Sequence, residues 1–260
     1  MNDTVVLGRI AGIKVGLHWS VLVIAGFLSF NLAGPLGSIA LGRAVAGGYL
    51  GSILAHEVGH SLVARRYGVP VEGITLWLLG GVARLGGQAP NPRAELAIAA
   101  GGPAVSVGLG GSLLAAGAVL PGSLSTAAVW LGVMNLILGV FNLLPGAPLD
   151  GGRILKAALW WRSGDPYGAT IGAAKAGRAL GWGFIILGVA GWLGSWGTLW
   201  PVVLGWFVLR SARGERRWAQ RERARLAGAA TGQGPLWPGF AAPSGVVIDV
   251  TATERPATAP

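Results

Sequence analysis

His56-Glu57-Val58-Gly59-His60 lies inside an apolar stretch of the chain. On a helix, two histidines four residues apart project from one side, with the glutamate beside the first. Two imidazoles suit a zinc ion, and a neighbouring carboxylate suits taking a proton from a zinc-held water. With three histidines and six glutamates in the chain, random placement gives an expected count of roughly 10⁻³ for this pattern. The bland alternative is a set of polar residues facing the inside of a helix bundle. It leaves three side chains that are costly in lipid still needing partners.

A catalytic zinc takes three protein ligands and keeps one position open. The chain has no cysteine, so disulfides are excluded and the third ligand must be His, Asp or Glu. Carboxylates are scarce, ten in 260 residues. Asp150 stands out in Asn142-Leu-Leu-Pro-Gly-Ala-Pro-Leu-Asp150-Gly-Gly-Arg153. Pro145 and Pro148 oppose helix, and Gly151 and Gly152 permit unusual torsions and close approach. The expectation is a carboxylate on a non-helical turn, near the depth of His56. On spacing alone two readings of Asp150 stand: third ligand, or cap of a helix that Arg153 begins. Asn142 also has two: a contact to substrate backbone or a developing oxyanion, or an interhelical hydrogen bond. Asn135 reads as structural. His18, beside Trp19, reads as an interfacial residue.

These residues need a scaffold, and the composition says which kind. The chain is 52% apolar and 12% charged, about half the charge of a soluble domain. The charges are clustered and leave long uncharged runs. This predicts an all-α polytopic membrane protein. The first apolar run has no small-residue cleavage site and reads as a retained span. The net charge of +10 is read as basic residues collected on the cytoplasmic side, not as a nucleic-acid surface. Abundant Arg, Ala and Gly suggest a GC-rich bacterial source.

About six spans are expected, near residues 18–33, 43–64, 95–120, 123–144, 177–192 and 198–209, the last two being short. An even number puts both termini on one side. A cytoplasmic N-terminus then places nearly every Arg and Lys inside, with Arg43 the exception. His56 precedes Arg65 by nine residues, roughly 13 Å along a helix. The site would lie below the cytoplasmic surface, within reach of water from that side. Residues 1–212 form the membrane core. Residues 213–227 form a basic juxtamembrane segment along the anionic inner leaflet, and residues 228–260 a disordered tail. Between the second and third spans, Gly73 to Leu79 and Val82 to Leu85 flank Gly80-Gly81. They read as a small β-hairpin turning at the glycines and re-entering the membrane; a surface loop is the alternative.

The HEVGH motif followed by NLLPGAPLDGGR resembles the site-2 protease group of intramembrane zinc metalloproteases. Gly80-Gly-Val-Ala-Arg-Leu85, Ala100-Gly-Gly-Pro-Ala-Val-Ser106 and His18-Trp19-Ser20 are similar to that group too, and the likeness covers about residues 5–210. The resemblance implies one zinc ion per chain, held by His56, His60 and Asp150, with Glu57 the catalytic glutamate. It implies hydrolysis of peptide bonds in single-span membrane substrates, anti-sigma factors among them, and a hairpin matching the family's re-entrant strands. The similar bacterial proteins often carry paired CBS domains. No CBS or PDZ pattern is seen here, so regulation through either is not expected. Two other classes are weighed: a membrane metal carrier and a non-catalytic scaffold that binds helices. Glu57 speaks against a carrier, because transport needs no general base.

Overall fold

The computed structural model describes residues 4–78, 80–195 and 197–230. The chain divides into two compact units, residues 1–220 and 221–260. Most of the expected tail lies outside the described residues. The elements run β1 (Thr4–Ile10), β2 (Ile13–His18), α1 (Ser20–Leu36), α2 (Ile39–Arg66), β3 (Val71–Trp77), β4 (Gly80–Leu85), α3 (Pro92–Val119), α4 (Gly122–Asn142), α5 (Asp150–Ser163), α6 (Pro166–Leu193) and α7 (Trp200–Ala230). The chain is thus mostly helical with one small sheet. Among the described residues α3, α4 and α6 are long and apolar enough to cross a membrane, and α1 is a shorter apolar helix.

Local chemistry sets the helix starts. Ser38 accepts the Leu41 N–H and opens α2. Asn91 accepts the Ala94 N–H at 2.9 Å with Pro92 in the first turn of α3. Asp165 accepts the N–H groups of Tyr167 and Gly168, both at 2.9 Å, ahead of Pro166 in α6. Each follows the preference for a short polar side chain before a helix, with proline tolerated where no backbone N–H is needed.

The sheet has order β1-β2-β3-β4, with β2 and β3 parallel and the outer pairs antiparallel. It is larger than the expected hairpin, because β1 and β2 precede the first apolar helix. The alternation from Ile13 to His18 is the signal for β2, and Ala11 and Gly12, both at positive φ, form the tight turn before it. The expected turn at Gly80-Gly81 is not observed. Trp77 pairs with Gly80 and Leu76 with Gly81, so both glycines belong to β4. The sheet packs on the helices through Ile13, Ile74 and Leu76, with Val21 of α1 and Ile53, Leu54 and Val58 of α2 against them.

Three helical boundaries also differ from expectation. Asp150 is the first residue of α5, not part of a non-helical turn. The two prolines stay outside the helix, and an aspartate at its start is favoured by the helix dipole. Helix α6 begins at Pro166 rather than near 177; its first turns carry Lys175 and Arg178 and so escape an apolar search. Helix α7 continues through the basic segment 213–227.

The central contact is the crossing of α2 and α3. A β-carbon on Gly59 would stand 2.6 Å from the Gly101 carbonyl oxygen, and one on Gly101 would stand 2.9 Å from that of Gly59. Neither backbone leaves room for a side chain, and small residues permit such approach. Asn135 donates to Ser52 Oγ at 3.0 Å and ties α4 to α2. Gly59→Val is expected to destabilise the chain by about 1–3 kcal/mol through overpacking. A thermal melt in detergent checks this through a lowered Tm.

Candidate metal centre

Helix α2 delivers two imidazoles to one point. His56 and His60 are 3% and 5% exposed, one helical turn apart. Helix α5 delivers the third group from 94 residues away in sequence. Asp150 Oδ2 lies 3.2 Å from His56 Nε2 and 3.2 Å from His60 Nε2, and the two Nε2 atoms are 3.2 Å apart. Among the described residues these three form the cluster suited to a metal ion. Three atoms 3.2 Å apart are spaced like three corners of a tetrahedron whose bonds to its centre are about 2.0 Å, the length zinc takes with imidazole nitrogen and carboxylate oxygen. A catalytic zinc keeps its fourth position for water or substrate.

The hydrogen bonds on the far side of each ring complete the argument. His60 Nδ1 donates to the Ile98 carbonyl at 2.7 Å, and His56 Nδ1 shares a hydrogen bond with Ser106 Oγ at 2.9 Å. The carbonyl assigns a ring proton of His60 to Nδ1, which turns its Nε2 towards a ligand role, and the Ser106 hydroxyl holds the His56 ring in the same orientation. The two Nε2 atoms and a carboxylate oxygen face one another at 3.2 Å. With both Nε2 atoms unprotonated, the three are a ligand set for a cation. Gly102 N–H also points at His60 Nδ1, at 3.3 Å. A protonated Nδ1 cannot accept it, so the shorter Ile98 bond decides the tautomer.

Ile98, Gly102 and Ser106 share one stripe of α3. At Gly102 a β-carbon would fall 2.2 Å from His60 Nε2 and 2.6 Å from His56 Nε2. Only glycine lets α3 pass this close behind the ligand atoms. Gly102 and Ser106 both lie in the family-like segment Ala100–Ser106, for which the sequence alone suggests no role. Their four-residue spacing within an apolar helix was the available signal. Gly151 and Gly152 do the same for α5: a β-carbon on either would strike the backbone of the Leu143–Ala147 segment.

Glu57 sits beside the triangle and faces β4. Its Oε2 accepts the Ala83 N–H at 3.1 Å. A β-carbon on Gly81 would lie 2.4 Å from Glu57 Cγ. The Gly-Gly pair therefore serves close approach to the glutamate, which is why it was misread as a turn. His56 and Glu57 open on a cavity of about 410 Å³. Asn142 lines it as well, while its amide donates to the Leu138 carbonyl of its own helix at 3.0 Å. The other walls are apolar, Trp77, Phe141, Trp200 and Phe207 among them. His18 takes no part in the cluster: its Nδ1 lies 2.7 Å from Ser20 Oγ, at the join of β2 and α1.

Comparison with known proteins gives a consistent picture. The family model described as peptidase family M50 matches residues 44–129 and 121–184. The chain is 45% identical over 261 aligned residues to a Mycobacterium tuberculosis protein carrying the name zinc metalloprotease Rip3, covering 92% of this chain and 66% of that protein. It is 35% identical to a Synechocystis protein carrying the name zinc metalloprotease sll0528, covering 85% of this chain and 62% of that one. The chain thus spans less than two-thirds of these relatives' lengths. The solved structure of the site-2 protease from Methanocaldococcus jannaschii is similar with a TM-score of 0.59 and 32% identity, covering 82% of this chain and 95% of that chain.

Gly102→Ala tests the geometry directly. Alanine favours helix over glycine, so α3 should persist while the new methyl group occupies the ligand site. Elemental analysis of the purified variant should show zinc reduced to less than about a tenth of wild type, as loss of a ligand position predicts, with unchanged helical circular dichroism.

Proposed function

This chain belongs to peptidase family M50, and from that premise we propose that it hydrolyses peptide bonds in or beside the transmembrane segments of membrane proteins. The observation that carries the reading is Glu57. A half-buried carboxylate tethered to Ala83 N–H stands next to the two imidazoles, on the wall of an apolar cavity. A carrier or scaffold has no use for that group in that place.

His56, His60 and Asp150 would hold one zinc ion. When bound, the ion would lower the pKa of a water towards neutrality and polarise the scissile carbonyl. Glu57 takes the proton of the attacking water and passes it to the amide nitrogen as that nitrogen departs. The Ala83 bond keeps its carboxylate turned to the cavity. Asn142, on the same wall, is placed to orient the substrate backbone or the developing oxyanion. A helical substrate hides its peptide bonds in its own hydrogen bonds. Strand β4 lies at an edge of the sheet, so an unwound substrate can pair with it as an added strand. The apolar walls suit the residues of a transmembrane segment.

The topology belongs to this proposal. Helices α1, α2, α3, α4, α6 and the first half of α7 supply six spans, with α5 and the sheet on the cytoplasmic side and both termini inside. Arg65, Arg66, Arg93, Arg153, Arg162 and the basic half of α7 then all face the cytoplasm, in keeping with the positive-inside rule. Helix α2 reaches full spanning length at 28 residues, and its site residues are what lower its hydropathy. The basic half of α7 would lie against the anionic inner leaflet. The substrate is a single-span membrane protein, an anti-sigma factor being one instance, and the source is bacterial.

Glu57→Gln separates the classes. It should retain one zinc per chain and lose about 10²–10⁴-fold in cleavage, the range for removing a general acid–base group. The readout is cleavage of a co-expressed single-span substrate by immunoblot, with zinc measured on the same preparation. Undiminished cleavage by the variant contradicts the mechanism. Zinc flux in a wild type that cleaves nothing favours a carrier.

A further inference from the structure

Glu95 is 2% exposed, and nothing in the proposed chemistry uses it. It lies in the first turn of α3, where Asn91 already caps the helix. A carboxylate in such a place is costly unless fully partnered. Both of its oxygens are partnered, and both partners come from α5. Arg153 Nε donates to Oε1 at 2.9 Å, and Lys156 Nζ lies 3.4 Å from Oε2. Arg153 follows Asp150 by three residues and Lys156 follows Arg153 by three, so each is a neighbour of the one before it on the helix surface.

Helix α5 needs such a contact. Its N-terminus carries Asp150, yet the residue before it, Leu149, gives no side-chain cap. The chain leading in is the proline- and glycine-containing segment from Leu143 to Pro148. Apolar packing alone tolerates rotation of a helix about its axis. A buried carboxylate held at two points does not, because a small rotation draws both cations away from an acceptor that water hardly reaches. Rotation of α5 is the motion that would carry Asp150 Oδ2 out of its 3.2 Å contacts with both histidines.

We infer that Glu95 is a positioning residue: by clasping Arg153 and Lys156 it fixes the rotation of α5 and so holds Asp150 at the metal site. Helix α3 then serves all three ligands from one stripe. Glu95 sets Asp150 through α5, the Ile98 carbonyl sets His60, and Ser106 sets His56, at spacings of three and eight residues. The inference rests on the reading of His56, His60 and Asp150 as ligands, and not on peptide cleavage.

The test measures zinc affinity of the full chain in detergent by competition with a chromogenic chelator. Glu95→Gln should weaken zinc binding about 10–100-fold, the usual effect of removing a partner that orients a ligand. In an Asp150→Asn background the same change should cost less than about threefold, because the group it positions has already been removed. Arg153→Gln should behave as Glu95→Gln does in both backgrounds, and it carries the comparison if Glu95→Gln does not fold. Glu215→Gln is the control. Glu215 is a carboxylate of α7 that faces the same two cations without taking part in the clasp, and its removal should cost less than about threefold. Equal losses with and without Asp150 would make Glu95 a general stabiliser and overturn the inference, as would unchanged affinity in both single variants. A wild type that binds zinc and cleaves no substrate would sink the protease reading and leave the clasp standing.

Discussion

Three lone-pair atoms must be held 3.2 Å apart inside an apolar bundle, although the residues that carry them are up to 94 positions apart. The rest of the molecule answers to that constraint. Two of the atoms come cheaply, since one turn of α2 places both imidazoles on a single face. The third must be brought by another helix. Neither α2 nor α5 contains the groups that orient its own ligands. Those groups lie on α3, which crosses α2 where Gly59 and Gly101 let the backbones touch, and which meets α5 through Glu95. The glycines of this region are better understood as clearances around the site than as flexible joints.

The glutamate is governed by a different element. Glu57 is one residue from His56 on α2, yet its carboxylate is directed by an N–H of β4. The sheet therefore has two roles in the proposal. One edge strand steers the general base, and the same strand offers its free side to an unwound substrate. Gly80 and Gly81 of that strand line the 410 Å³ cavity beside Glu57.

How much of this was legible in the sequence follows from the range of each interaction. The His56–His60 pairing is local to one helix turn, so its periodicity is visible in five residues. Asp150 was visible because prolines and glycines marked an irregular approach, but the same marks suggested a turn where the chain makes helix α5. Spacing could not choose between ligand and cap, since an aspartate at the first position of a helix can serve as either. Gly80-Gly81 was misread because a glycine pair signals a turn by torsion, whereas here its value is the absence of a side chain beside Glu57. Glu95, Gly102 and Ser106 remained silent. Their partners lie on other helices, and a single sequence carries no record of which helix faces which. Strands β1 and β2 were missed because the strong apolar run that follows them drew the N-terminus into a membrane reading.

The central claim is that His56, His60 and Asp150 form one zinc site with an open fourth position. X-ray absorption spectroscopy of the zinc-loaded chain in detergent tests it most directly. The account predicts four-coordinate zinc with two imidazole nitrogens, one carboxylate oxygen and one further light atom at about 2.0 Å. Zinc surrounded by six oxygens, or with fewer than two imidazoles, would contradict it.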